Sequence, residues 1–205
     1  MSDELRLFGT RAIVTSAADG IGEAIVRIFA KQGAEVVAVD RPDSGLETRF
    51  KGLKKVIPMT CSLTDPESVK AMVKGARDEL GGLDVVVNNA GVLLLASIEE
   101  TTPADFRRVH SINSEGTFLG LRQAILAMQP DGAAGNGGSI INIASVSTIR
   151  PSPGTAAYGA AKAGLVNLGT SLAVEWAPKV RINAVIAGLT ETEQSHLHYG
   201  DDDGI

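Results

Sequence analysis

Tyr158 and Lys162 stand four residues apart in a segment of helical period, a spacing that sets a phenol and an ammonium one turn apart on the same side. At about 100° per residue their stripe also holds Leu165, Gly169, Leu172 and Trp176, and it should face a sheet. A lysine on such a stripe either lays its stem on the core and sends its charge to water, or serves a buried site. An ordinary tyrosine, with a pKa near ~10, is a poor base at neutral pH. A cation beside it in a partly dry site favours the phenolate. The phenol could then take a proton from an alcohol or give one to a ketone.

Two further polar residues could join this pair. Ser145 comes just after the apolar run 139–143, where its hydroxyl could hold a substrate oxygen. Ser147 is a rival for that role, and a plain loop serine is the structural alternative. Asn113 shares a helical stripe with Phe106, Val109, Thr117, Gly120 and Ala124 that should point inward. A buried amide must find partners, so Asn113 bonds a backbone carbonyl, holds an ordered water, or does both.

A second constellation reads as an anion site. Thr15-Ser16-Ala17-Ala18-Asp19-Gly20-Ile21-Gly22 joins an apolar run to a helix. Gly20 and Gly22 lack a Cβ and admit backbone close to a pyrophosphate, while the free N–H groups of the helix start favour an anion. Asp40, at the end of the next apolar run, has the spacing of a carboxylate that holds ribose hydroxyls. Its other reading is a strand-end aspartate that opens a turn before Pro42. A carboxylate there repels a 2′-phosphate, so NAD is expected over NADP, although the neighbouring Arg41 could receive that phosphate. The glycines within 132–138 precede a strand with no helix after it, which is the wrong context for a phosphate loop.

The elements that must carry these groups alternate along the chain. Strands are expected at 11–15, 35–40, 55–59, 83–88, 139–143 and 181–186, several of them apolar on consecutive positions, as a strand covered on both faces reads. Helices are expected at 21–32, 66–80, 102–128 and 155–177, with a weaker one near 44–51. Thr102-Pro103-Ala104-Asp105 carries a cap, a first-turn proline and a carboxylate. Repeated β-α-β units give an α/β fold with a doubly wound parallel sheet. No repeat or interdomain linker interrupts residues 1–205, which read as one domain with a connector at 131–138.

Composition narrows the field. The 205 residues are 44% hydrophobic and 21% charged with a formal charge of −5, an acidic balance that disfavours nucleic acid and anionic lipid. Cys61 is the only cysteine, which excludes a disulfide framework and a cysteine-built zinc site. The acidic start and the lack of a long apolar run argue against a secretory signal or a membrane span, so the expected setting is the cytoplasm. His196 and His198 near Asp201–Asp203 are weak as a metal set, and none is expected.

Gly20-Ile21-Gly22, Asn88-Asn89-Ala90-Gly91, Asn113, Ser145 and Tyr158-x-x-x-Lys162, in this order and spacing, resemble the short-chain dehydrogenase/reductase family from residue 7 to residue 193. The resemblance implies a Rossmann fold of strand order 3-2-1-4-5-6 and hydride exchange between NAD(H) and a secondary alcohol or ketone. Tyr158 would be the general acid/base, Lys162 would lower its pKa and bind the nicotinamide ribose, Ser145 would orient the substrate oxygen and Asn113 would support a proton relay. Asn89, Ala90 and Gly91 would line the adenosine side, and Gly188, Thr190 and Thr192 would meet the carboxamide. A homo-oligomer, dimer or tetramer, would form through helices 102–128 and 155–177.

Four departures qualify the match. Ser16 stands for the first glycine of the turn, Ser62 for an aspartate that meets adenine (leaving Leu63 to pack on the ring), and Ala187 for a proline. Family members also continue through a lid, a helix and a seventh strand, whereas this sequence stops at Ile205. Residues 193–205 would begin an incomplete lid, the seventh strand would be absent and the sixth would be an open edge. The rival expectation is a catalytically silent dinucleotide-binding or interaction protein, or an inactive fragment of a longer dehydrogenase.

Overall fold

In the computed structural model, which describes residues 5–128 and 137–192, six parallel strands form one sheet. They are β1 (Arg11–Thr15), β2 (Glu35–Asp40), β3 (Val56–Thr60), β4 (Val85–Asn88), β5 (Gly138–Ser145) and β6 (Val180–Ala187), in the order β3-β2-β1-β4-β5-β6. The helices are α1 (Gly20–Lys31), α2 (Leu46–Arg49), α3 (Pro66–Leu80), α4 (Pro103–His110), α5 (Gly116–Ala127) and α6 (Ala156–Trp176). The doubly wound α/β expectation is met, and the weak helix near 44–51 is a single turn.

Alternation along the central strands builds two cores. Ile13, Val37, Val86 and Ile140 pack with Val69 and Val73 of α3 and Leu121 and Ile125 of α5. Ala12, Val14, Val36 and Ala38 face the other way, against Val26 of α1 and Leu46 of α2. Because both faces are covered, consecutive residues such as Val36, Val37, Ala38 and Val39 are all buried. At the amino end of the sheet, Arg11 meets Asp84 at 2.7 Å, and that hydrogen-bonded pair holds the Asp84 carboxyl below the usual carboxylate range.

Order reverses between β1 and β4, which leaves a crevice at their carboxyl ends. Two differences from the sequence reading concern elements beside it. First, the helix expected at 102–128 is interrupted: α4 passes into a wider i→i+5 turn, Ser111–Glu115, before α5 begins. Phe106 is consequently not part of the inward stripe. It is 45% exposed and stacks on His110 at 4.2 Å, because α4 lies over α6 rather than over a strand. Second, β5 runs past 143, so Ser145 is its last residue and pairs with Ala187 of β6. Most of the 131–138 connector, the start of the lid at 193–205, and His196 and His198 lie outside the described residues. No described helix is long and apolar enough to cross a membrane.

Candidate active site

Gly20 and Ile21, the first residues of α1, line the crevice, and the first N–H groups of a helix have no partner within it. The turn that delivers them is tightly held. Ser16 adopts a left-handed backbone with φ 51, the region a glycine enters freely. Asn89 clamps that turn, its Nδ2 donating to the carbonyls of Thr15 at 3.2 Å and Ser16 at 3.1 Å. Gly22 is obligatory here, since a Cβ would lie 1.9 Å from the Ser16 oxygen.

Asp40 backs the same turn. Its Oδ2 accepts from Ala18 N at 2.9 Å and its Oδ1 from Arg41 N at 2.7 Å. The carboxylate is thus oriented by backbone donors at the end of β2, and Arg41 beside it is exposed.

On the other side of the crevice, α6 brings Tyr158 and Lys162 to the end of β5. Lys162 is 3% exposed, and its Nζ donates to the Ile143 carbonyl at 2.8 Å. Burial pushes its pKa down to about 8, so the amine still carries its proton at neutral pH. The same Nζ lies 5.9 Å from the centre of the Tyr158 ring. Leu94, Val109, Ala157 and Ala161 form a small apolar cluster against which the Tyr158 ring packs.

Asn113 sits in the wide turn and is fully buried. Its Nδ2 donates to Val92 O and Val109 O, both at 2.9 Å, while its Oδ1 has no partner among the described residues. That oxygen and Lys162 Nζ flank one spot: a Cβ at Gly91 would lie 2.7 Å from the first and 3.0 Å from the second. Ser114 Oγ donates to Ala161 O at 3.2 Å, which ties the wide turn to α6 one residue before Lys162.

A cavity of about 230 Å³ joins these parts. Ser16, Gly20, Ile21, Asn89, Gly91, Ser145, Tyr158, Lys162, Gly188, Thr190 and Thr192 all line it. Gly22, Asp40, Arg41, Ser62, Leu63, Ala90 and Asn113 do not. Gly22, Asn113 and Asp40 act on it from behind, whereas Leu63 packs partly buried against the core and Ser62 N donates to Ser68 Oγ. Sequence reasoning did not single out Asp19, Leu93, Val146, Ser152 and Leu189, which also line the cavity. Pro151-Ser152-Pro153 carried a usable signal, because flanking prolines fix where a serine is presented.

The donor set fits a dinucleotide: free amides of a helix start for a diphosphate, a carboxylate behind the turn for ribose hydroxyls, and an ammonium deep in the crevice. Comparison with known proteins agrees. Residues 10–200 match the family model for short chain dehydrogenase, and this chain belongs to the short-chain dehydrogenase/reductase family of oxidoreductases, which bind a nicotinamide dinucleotide. It is 35% identical over 193 residues to a 3-oxoacyl-[acyl-carrier-protein] reductase of Thermotoga maritima, spanning 92% of this chain and 77% of that protein. It is 35% identical over 200 residues to the D-threitol dehydrogenase of Mycolicibacterium smegmatis, spanning 94% and 75%. Among solved structures, the 3-ketoacyl-(acyl-carrier-protein) reductase of Brucella melitensis complexed with NADH superposes with a TM-score of 0.86 at 34% identity, over 92% of this chain and 78% of that one. A short-chain type dehydrogenase/reductase of Mycobacterium marinum gives 0.87 at 32%, over 95% and 78%.

Proposed function

We propose that this chain transfers hydride between NAD(H) and a small secondary alcohol or ketone, with Tyr158 as the general acid/base, and that it works as one dinucleotide-binding unit. The observation that carries the reading is the shared cavity of Tyr158, Lys162 and Ser145 at the mouth of the α1 turn. The α1 amides, Asn89, Gly91, Lys162, Thr190 and Thr192 would hold the dinucleotide, with Asp40 on the adenosine ribose favouring NAD. A bound nicotinamide supplies or accepts the hydride.

The chain's own groups handle the proton. Lys162, charged at neutral pH and buried beside the ring, favours the phenolate of Tyr158 as an alcohol gives up its proton. In reduction Tyr158 returns that proton to the carbonyl oxygen, and Ser145 holds the oxygen by donating to it. Asn113 Oδ1, buried and without a partner among the described residues, is suited to a water that would connect Lys162 with solvent. Exposed Phe118 and Leu126 on α5 and Val174 on α6 support assembly of copies through these helices, as dimer or tetramer.

Tyr158→Phe keeps the ring and removes the acid. Turnover of a probe ketone should fall by about 10³-fold or more, the scale of a lost general acid in a dry site. NADH affinity, read by fluorescence titration alongside NADPH, should stay within a few-fold. Retained turnover would overturn the assignment of the proton donor. NADH binding without turnover by the parent chain would favour the silent-binder reading.

A further inference from the structure

We propose that Ser147 is a positioning residue for Ser145: it fills the acceptor side of the Ser145 hydroxyl and so aims that hydroxyl's proton at the substrate oxygen. The proposal rests on the reading of Ser145 as the group that donates to that oxygen.

Ser145 closes β5 with φ −143 and ψ 153 and caps the short turn Val146–Thr148. In that arrangement Ser147 N donates to Ser145 Oγ at 3.3 Å, and Ser145 Oγ in turn donates to Ser147 Oγ at 3.4 Å while no substrate oxygen is present. A hydroxyl has one proton to give and two acceptor sites. The Ser147 amide takes one acceptor site, and the Ser147 hydroxyl stands at hydrogen-bonding range of the rest.

Either hydroxyl can donate across the gap between them. A ketone oxygen entering the cavity only accepts, and it breaks the tie: Ser147 donates to Ser145, and Ser145 donates to the ketone. Both serines line the cavity, so the released proton has the substrate side to point to. A serine retained for solubility would turn its hydroxyl to water instead.

The backbone of Ser147 does a second job. A Cβ at Gly159 would lie 3.0 Å from the Ser147 carbonyl oxygen, so that carbonyl is seated directly on the residue after Tyr158. Ser147 thereby couples the end of β5, which carries Ser145, to the turn of α6 that carries Tyr158. One residue spans the two hydroxyl groups that must meet the same substrate oxygen.

The test uses the 205-residue chain, NADH and ethyl acetoacetate as the ketone probe, with Ser147→Ala, Ser147→Thr and each of them combined with Ser145→Ala. One lost hydrogen bond to a reacting group corresponds to roughly ten-fold in rate. Ser147→Ala should therefore lower kcat about ten-fold while the NADH Kd and the Tm stay at parental values, and Ser147→Thr, which restores a hydroxyl, should recover most of it. In the Ser145→Ala background, Ser147→Ala should cause no further loss in the residual rate. Parental kcat in Ser147→Ala, or the same ten-fold loss without Ser145, overturns the proposal and leaves the Tyr158 reading standing. A parent chain that binds NADH but reduces no ketone overturns both.

Discussion

At the scale of single residues, the burial of Lys162 carries a measurable pH dependence. Its amine donates to one carbonyl, Ile143 O, and burial lowers its pKa from 10.5 to about 8. Below pH 8 the folded and unfolded chains both hold that proton, and the native state bears the full penalty of burying the charge. Between about 8 and 10.5 the unfolded chain binds more protons, so stability rises with pH across that window. The difference integrates to on the order of 3 kcal/mol at about 1.36 kcal/mol per unit. Cys61, whose thiol is pushed up by burial, works in the opposite direction at high pH, so the parent curve alone mixes the two. Comparison with Lys162→Met separates them: denaturant unfolding from pH 7 to 10 should show the gap between variant and parent shrinking in favour of the parent as pH rises. A gap independent of pH would show that the amine is not held in a costly environment. The helical spacing to Tyr158 made this residue legible in the sequence. The carbonyl it bonds was not, because no spacing rule connects Ile143 to Lys162.

Elements decide how accurately these groups meet, and here the sequence was an uneven guide. Apolar runs located every strand to within a residue or two, most plainly the central ones, because strands covered on both faces admit little else. The wide turn Ser111–Glu115 was invisible, since an i→i+5 segment has no composition of its own and the α period continues on either side of it. It nevertheless sets the direction of Asn113 and removes Phe106 from the core face. The glycine-rich turn lies at the other extreme. Gly20 and Gly22 could be read directly, and the clash a side chain would meet is severe. Gly22→Ala forces a methyl group toward the Ser16 carbonyl, so either α1 withdraws or the turn opens. Overpacking of this kind costs about 1–3 kcal/mol. The expected outcome is that loss in denaturant unfolding together with at least a ten-fold weaker NADH Kd, because the amides of α1 no longer converge. Unchanged affinity would mean that the dinucleotide does not rest on the start of α1.

At the scale of the whole sheet, the two outermost strands among the described residues are defended differently. β3 carries Pro58 opposite Ala38 and therefore lacks a ladder donor at its centre, a device that discourages another strand from joining. Among the described residues β6 pairs with β5 alone, and its eight positions contain no proline and a single charge, Arg181. Its second half is also poorly covered, with Val185 50% and Ile186 38% exposed. Such an edge offers unpaired backbone groups beside apolar side chains, which is the pattern that recruits further strands. The 205-residue chain should accordingly form high-mass species as its concentration rises, beyond any defined dimer or tetramer made through α5 and α6. A charge on the strand counters this by making each added strand bury an unpaired ammonium. Val185→Lys should suppress the high-mass species several-fold in light scattering while leaving NADH binding intact, since Val185 lies outside the cavity lining. If the high-mass species persist unchanged, association runs through another surface, and the exposed apolar residues of α5 and α6 become its source.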